Sequence, residues 1–414
     1  MQDQPEQLVE NFFRHESANL IALLTRAFGF SLVDVVEDMV QEAMMEALRS
    51  WRIGGIPKNP DAWLYRVAKN RIIDVLRRDR STNESVEDHL DGDETLVISF
   101  TDDAFEDSLL RLIFVCCHPS LDEKSQVALT LKMLCGLGDH EIASGLLMSA
   151  AAVKKRVTRA KRHLQLTQVS MELPASKELQ QRIEVVHDVL YLLFNEGYSA
   201  SKGALPIRID LCEEAARLCH LLCRSEIGQP STYALLALML FHAARFDSRV
   251  DGDGEIILLE DQDRGLWDQN MIGVADAWLN RSARGGQVSR FHLEAGISRL
   301  HCRATSIDET DWQGIVALYD LLLRTFPSPM YTLNRAIALG RLGKLTEAIG
   351  QIQLIANDSA MKDYSLLWCS LADLHQRQGE LEDAHAAWQH ALTLTSNPRD
   401  QQLIQQRIEA ATID

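Results

Sequence analysis

The sequence predicts an all-α protein of more than one domain, and three observations carry that expectation. Pro numbers only 10 and Gly 22 in 414 residues, so few positions interrupt a helix. Apolar residues recur at spacings of three and four, as in Val36, Met39, Val40, Ala43, Met44, Ala47 and Leu48. The last hundred residues repeat at a fixed offset, as paired helices do in a solenoid. The length itself, at about 150 residues per domain, points to roughly three domains.

The formal net charge is −17, with 46% apolar and 24% charged residues, an ordinary soluble composition that excludes wholesale disorder. The charge is unevenly distributed. Residues 49–80 and 151–166 each carry +6, while 81–107 carry ten acids and no Lys or Arg. Residues 167–414 carry −11. Two dense cationic stretches in an acidic chain suit two points of contact with a phosphate backbone, and equally suit solvated helix faces. The longest apolar run, Tyr233 to Ala244, is 12 residues and contains His242, too short to span a bilayer. The first residues, MQDQPEQLVE, lack the basic and apolar regions of a secretory signal. Eight cysteines without regular spacing make no disulfide framework, so a cytoplasmic chain with reduced thiols and no membrane contact is expected.

The elements follow in order. After the first stripe, Trp51–Pro60 holds two Gly and two Pro and reads as a loop. A second helix is expected from a cap near Asp61. The acidic stretch that follows reads as a flexible tether. A helical block runs from about Asp107 to Leu166, and 180–300 reads as helical except for a β-like run at 254–263, expected as a hairpin or an irregular loop. Near the end, Gly343, Ala348, Ile352 and Ile355 are matched 36 residues on by Gly379, Ala384, Trp388 and Ala391. An incomplete earlier copy places Trp312, Ile315, Tyr319, Leu322 and Pro327 about 33 residues before. Small residues at crossing points with bulky ones four later describe a TPR-like stack.

The most specific local pattern is GLGDHEIASGLLMSAAAVKKRVTRAKRHL at 136–164. Asp139 is placed to cap a short helix and Ser149 a second one. The second helix has Val153, Val157, Ala160 and Leu164 on one side and Lys154, Lys155, Thr158, Arg159 and Arg162 on the other. A capped short helix, a turn and a helix that is apolar behind and basic in front describe a helix-turn-helix. Upstream, Asp38, Gln41 and Glu42 share a helical face opposite the apolar stripe, which alone suits a solvated surface. Arg66, Lys69, Asn70 and Arg77 share a side of the next helix, with Trp51 and Trp63 nearby, and cations beside aromatics suit splayed bases. Core packing remains the stronger reading for Trp63.

Together, EDMVQEAMMEALRSW, AWLYRVAKNRIIDVLRR, an acidic linker and a helix-turn-helix ending RVTRAKRHL resemble a bacterial extracytoplasmic-function sigma factor. LYLLFNEGYSAS and RVDGDGEIILLEDQDRGLWD resemble strings of the group with a long C-terminal extension containing TPR-like repeats. The resemblance implies sigma region 2 at 1–80, a linker at 81–106, a region 4 helix-turn-helix at 107–167, a helical extension at 178–305 and TPR-like repeats at 306–414. It implies core RNA polymerase and promoter DNA as partners. Asp38, Gln41 and Glu42 would meet the polymerase. Trp51, Arg66, Lys69, Asn70, Arg77 and Arg78 would handle the −10 element. Ser149, Lys154, Lys155, Thr158, Arg159 and Arg162 would serve the −35 element. It further implies that the extension sets activity from within the chain, through contact with the sigma domains. The alternative is a helix-turn-helix and TPR regulator that never joins polymerase.

No catalytic constellation appears, so no enzyme, cofactor or metal is expected. Cys116-Cys117-His118 and Cys212, Cys219, His220 and Cys223 lack paired CxxC spacing. A calcium loop counted from Asp247 would put Arg249 at position three and Leu258 at position twelve. Asn195-Glu196-Gly197-Tyr198 reads as a small-ligand pocket or as a helix end closed by Gly197.

Overall fold

The computed structural model describes residues 4–82, 102–146, 148–198, 208–251, 257–359, 361–395 and 398–411. Their regular elements are all helices, with no strand among the described residues, and they divide into two compact units, Met1–Ser225 and Glu226–Asp414. The tether expected at 81–106 falls largely outside the described residues.

In the first unit, α1 (Gln4–Phe28), α2 (Val33–Gly54) and α3 (Pro60–Thr82) form a three-helix group. Its core is Leu20, Leu23, Leu24, Val36, Val40, Ala43, Ala47, Leu64, Ala68 and Ile72, all fully buried, with each large side chain contributing about 1.5–3 kcal/mol. Two boundaries differ from expectation. α2 runs through Trp51 to Gly54, because nothing before the Gly54-Gly55 pair breaks the helix, and Gly55 donates its N–H to the Trp51 carbonyl at 3.0 Å. The loop is therefore shorter than Trp51–Pro60. The cap of α3 is Asn59, whose Oδ1 accepts the Ala62 N–H at 3.0 Å, rather than Asp61.

Asp61 instead faces Glu16 of α1, and burial together with that neighbouring carboxylate raises the Glu16 carboxyl to about pH 7. Its folded value exceeds the 4.5 of the free group, so its contribution to stability is full below about pH 4.5 and is lost as pH rises through 7. Glu16→Gln is expected to stabilise the protein at pH 8 by on the order of 1 kcal/mol, discounted for a half-exposed site, and to do nothing at pH 4.5. Thermal melts of both proteins across this range check it; parallel pH profiles would contradict it.

Then come α4 (Asp102–Cys116), α5 (Glu123–Met133), α6 (Asp139–Gly145) and α7 (Ala150–Leu166). α4 lies along α1, where Arg26 pairs with Asp107 at 2.6 Å. Asp139 is the first residue of α6 and not its cap. Glu141 accepts the Gly138 N–H at 2.6 Å, and the Asp139 carboxylate is drawn off to Lys132 at 3.1 Å.

The unit closes with α8 (Ser176–Tyr198) and α9 (Ile209–Arg224). Gly197 lies inside the last turn of α8 and does not end it. A Cβ there would sit 2.7 Å from the Arg208 carbonyl and the Cys212 sulfur, so glycine lets α9 start against α8.

The second unit holds α10 (Pro230–Ala243), α11 (Gln269–Ser282), α12 (Arg290–Arg303), α13 (Trp312–Thr325), α14 (Pro329–Arg341), α15 (Leu345–Ile355), α16 (Ser365–Gln378), α17 (Leu381–Leu394) and α18 (Pro398–Ala411). Each helix from α13 onward packs on the next. Gly343 and Gly379 turn between helices at φ 75° and 84°, and Ile352 and Trp388 fill equivalent core positions. The repeat is thus an antiparallel helix pair. Of the β-like run, residues 254–256 lie outside the described residues. The rest is an irregular loop in which Trp267 is buried between the guanidinium groups of Arg245 and Arg264, 5.1 and 4.9 Å from its ring. Among the described residues no helix is long and apolar enough to cross a membrane.

Candidate nucleic-acid and polymerase interface

The interface is built on α7. Ser149 caps it, its Oγ accepting the Ala152 N–H at 3.2 Å. Val153, Val157, Ala160 and Leu164 are buried, while Lys154, Lys155, Thr158, Arg159 and Arg162 are exposed. α7 is tied to the corner between α4 and α5. Arg156 reaches the α5 cap residue Asp122 at 2.6 Å and Ser125 Oγ at 3.1 Å, and His163 Nε2 meets Ser120 Oγ at 2.9 Å. The helix is therefore held from behind with its cationic side outward, as insertion into a major groove requires.

One cation of the set behaves differently. Lys161, read from the sequence as part of the basic stretch, is only 7% exposed. Its ammonium is clasped by Glu37 of α2 and lies 3.4 Å from Asp34. Gln165 adds a hydrogen bond to Asp34 at 2.8 Å. A groove of about 430 Å³ opens beside this clasp, lined by Asp34 and Lys132 on one side and Lys154, Thr158 and Arg162 on the other. A carboxylate from α2 thus shares one groove with three residues of the exposed face of α7.

On the first three helices, Asp38 and Gln41 are exposed on α2. Glu42 is exposed too, but its carboxylate is engaged by Arg71 of α3, which also reaches Glu46 at 3.6 Å. Arg66, Asn70, Arg77 and Arg78 are exposed along α3, and Lys69 is half-buried. Trp51 is half-buried and packs edge-on against Trp63, ring centroids 5.5 Å apart. Its ring packs at the junction of α2 and α3. Beside it stand two apolar side chains that sequence reasoning passed over, Ile53 in the last turn of α2 at 92% exposed and Ile56 in the loop at 72%. Met45 and Leu48 on α2 are exposed as well. The signal was present in RIGGIP, where Gly and Pro drew attention to the turn and away from its tips.

The buried thiols, including Cys116, Cys117, Cys212, Cys219 and Cys223, pack as small apolar side chains, and burial pushes Cys117 up to about 12. Among the described residues, His375, Glu380 and Asp383 bring three ligand atoms within 4.8 Å at the α16–α17 turn, where His375 is already bonded to Glu380.

Comparison with known proteins agrees with this geometry. Models of sigma-70 region 2 and sigma-70 region 4 match residues 19–82 and 111–164, and a family of unknown function, DUF6596, matches 182–283. An uncharacterized protein of Rhizobium meliloti (strain 1021) is 35% identical over 385 residues, 92% of this chain and 90% of that protein. RNA polymerase sigma factor SigZ of Bacillus subtilis (strain 168) is 33% identical over 104 residues, 24% of this chain and 54% of that protein. No solved structure matches. With both sigma regions matched in order, and a near-full-length relative sharing the extension, the chain belongs to the sigma-70 factors of the extracytoplasmic-function type that carry a C-terminal extension.

Proposed function

We propose that this sigma factor joins core RNA polymerase through Asp38 and Gln41 and directs initiation at particular promoters through α7 and α3. The observation that carries the reading is α7: an anchored, capped helix with Lys154, Lys155, Thr158, Arg159 and Arg162 presented together. Lys154 or Lys155 supplies the guanine contact at the −35 element, and Arg159 a phosphate contact. Arg66, Lys69, Asn70, Arg77 and Arg78 neutralise the strand separated at the −10 element, with Ile53 at the end of α2 and Ile56 in the loop against the unstacked bases. Glu42 takes a supporting part, holding α2 to α3 through Arg71.

Alanine variants separate these roles. Lys155→Ala is expected to cost about tenfold in promoter affinity and to relax preference at one base position. Arg159→Ala should weaken all sequences alike and lower the salt slope by about one. Binding of the holoenzyme to native and substituted promoters across a salt series reads both. Unchanged affinity in both variants would remove α7 from the interface.

Regulation comes from within the chain. In the resting form the Lys161 clasp keeps α7 against α2, and opening it frees the groove-facing edge for DNA. The extension acts on this equilibrium through α8 and α9.

A further inference from the structure

Two arginines of the extension are spent on the ends of region 4 helices. The Phe114 carbonyl lies in the last turn of α4, and the N–H that would be expected to reach it, that of His118, turns to the Val115 carbonyl at 3.1 Å. Arg182 of α8 takes its place, donating from Nη2 to the Phe114 oxygen at 2.6 Å with its guanidinium 5.9 Å from the Phe114 ring. Arg217 of α9 does the same for α5, donating to the carbonyl of its C-cap residue Leu134 at 3.3 Å. Arg224, at the end of α9, pairs with Glu106 of α4 at 3.2 Å. Arg182 and Arg217 each sit at the negative end of a helix they do not belong to, whereas Arg224 meets α4 near its N-terminal end.

The Arg182 anchor is next to the corner that holds α7. His118 Nδ1 accepts the Ser120 N–H at 3.3 Å and lies 2.8 Å from Ser120 Oγ, and Ser120 Oγ meets His163 of α7. Gln126 donates to the His118 carbonyl at 3.0 Å, and Asp122 receives Arg156 of α7. The corner from Phe114 to Gln126 is thus fixed to α8 on one side and to α7 on the other.

We infer that α8 and α9, although they lie in the extension, complete the promoter-reading domain, and that Arg182 is a positioning residue that sets the angle at which α7 enters DNA. This gives a role to the first part of the segment that matches a family of unknown function. The inference rests on the sigma-factor reading. It adds that −35 discrimination, and not polymerase binding, depends on the extension's first two helices.

The test uses the full-length protein with core polymerase, on a native promoter and on one substituted in its −35 element. Arg182→Gln is expected to lower discrimination between the two promoters by about tenfold while polymerase binding stays within twofold. Arg182→Lys, which keeps a cation at the helix end, should recover part of the loss. A second readout follows the His118 ring by nuclear magnetic resonance. Burial first, and then the facing charges of Arg182 and His163, hold its pKa below 6.5, so Arg182→Gln should raise it. Full discrimination in folded Arg182→Gln with an unmoved His118 would overturn the inference. So would a loss of polymerase binding that parallels the loss on both promoters, since that is general destabilisation. If Arg182→Gln does not fold, Arg182→Lys decides: discrimination equal to the parent with an unmoved His118 overturns the inference. Failure of the unsubstituted protein to bind polymerase would instead reject the sigma-factor reading itself.

Discussion

Asp38→Ala combined with Gln41→Ala is expected to lower affinity for core RNA polymerase by about a hundredfold or more while leaving the fold intact. Both side chains are exposed on α2, opposite the buried Val36, Val40 and Ala43, so truncating them creates no cavity and should move stability by about 0.5 kcal/mol or less. On the proposed reading polymerase docks on them, and residues central to an interface cost on the order of 2 kcal/mol each when truncated. Glu42→Ala makes the comparison. That carboxylate is held by Arg71, so its removal should loosen the α2–α3 pairing slightly, as an exposed ion pair does, and change polymerase binding far less. Competition binding with a labelled reference sigma factor, alongside thermal melts, measures all three. Equal effects of Asp38, Gln41 and Glu42 would show that a diffuse acidic face is at work; no effect from any would place the polymerase contact elsewhere.

Lys161→Met should open the first unit. Methionine keeps a buried apolar stem and removes only the ammonium, which leaves the partly buried Glu37 without its cation. Breaking a fully buried pair costs about 3–5 kcal/mol, and with Asp34 largely exposed a figure of about 1–2 kcal/mol is expected here. The loss falls on the contact between α7 and α2, where the hydrogen bonds of Gln165 to Asp34 and to the Ser31 carbonyl remain. The full-length variant should therefore bind promoter DNA without polymerase about tenfold more tightly than the parent, with a larger radius of gyration in solution. A lower melting temperature with unchanged DNA binding would make Lys161 a stabilising residue and nothing more. The net charge argues in the opposite direction, because Lys161→Met removes a cation, so tighter binding could not be credited to general electrostatics.

The periodic parts of this molecule were legible in its sequence. The stripe from Val36 to Ala47, the split of α7 into apolar and basic faces, the Ser149 cap and the 36-residue repeat all arise from residues close in the chain. Helix ends were read less well where two polar residues compete. Asp61 and Asp139 suit a cap by type, yet Asn59 and Glu141 do the work, because Asp61 is drawn to Glu16 and Asp139 to Lys132. The long-range contacts were not legible. Lys161 belongs by position to the basic stretch, and only partners more than 120 residues away, Glu37 and Asp34, bury it. Arg182 and Arg217 carry no local motif either, for they complete hydrogen bonds of carbonyls 68 and 83 residues earlier. Long-range ion pairs and caps depend on how helices are brought together, which spacing alone does not encode.

The central claim is that this protein programs RNA polymerase. It is tested most directly by transcription with purified core polymerase on fragmented DNA of the source genome, with and without the full-length protein. Lys161→Met, and a chain cut after Ser225 where the compact units divide, would be run in parallel. The account predicts discrete new transcripts that share an upstream two-element motif, strongest with Lys161→Met. Silence from all three proteins, with no polymerase bound, would contradict it and leave a helix-turn-helix regulator that acts without joining polymerase.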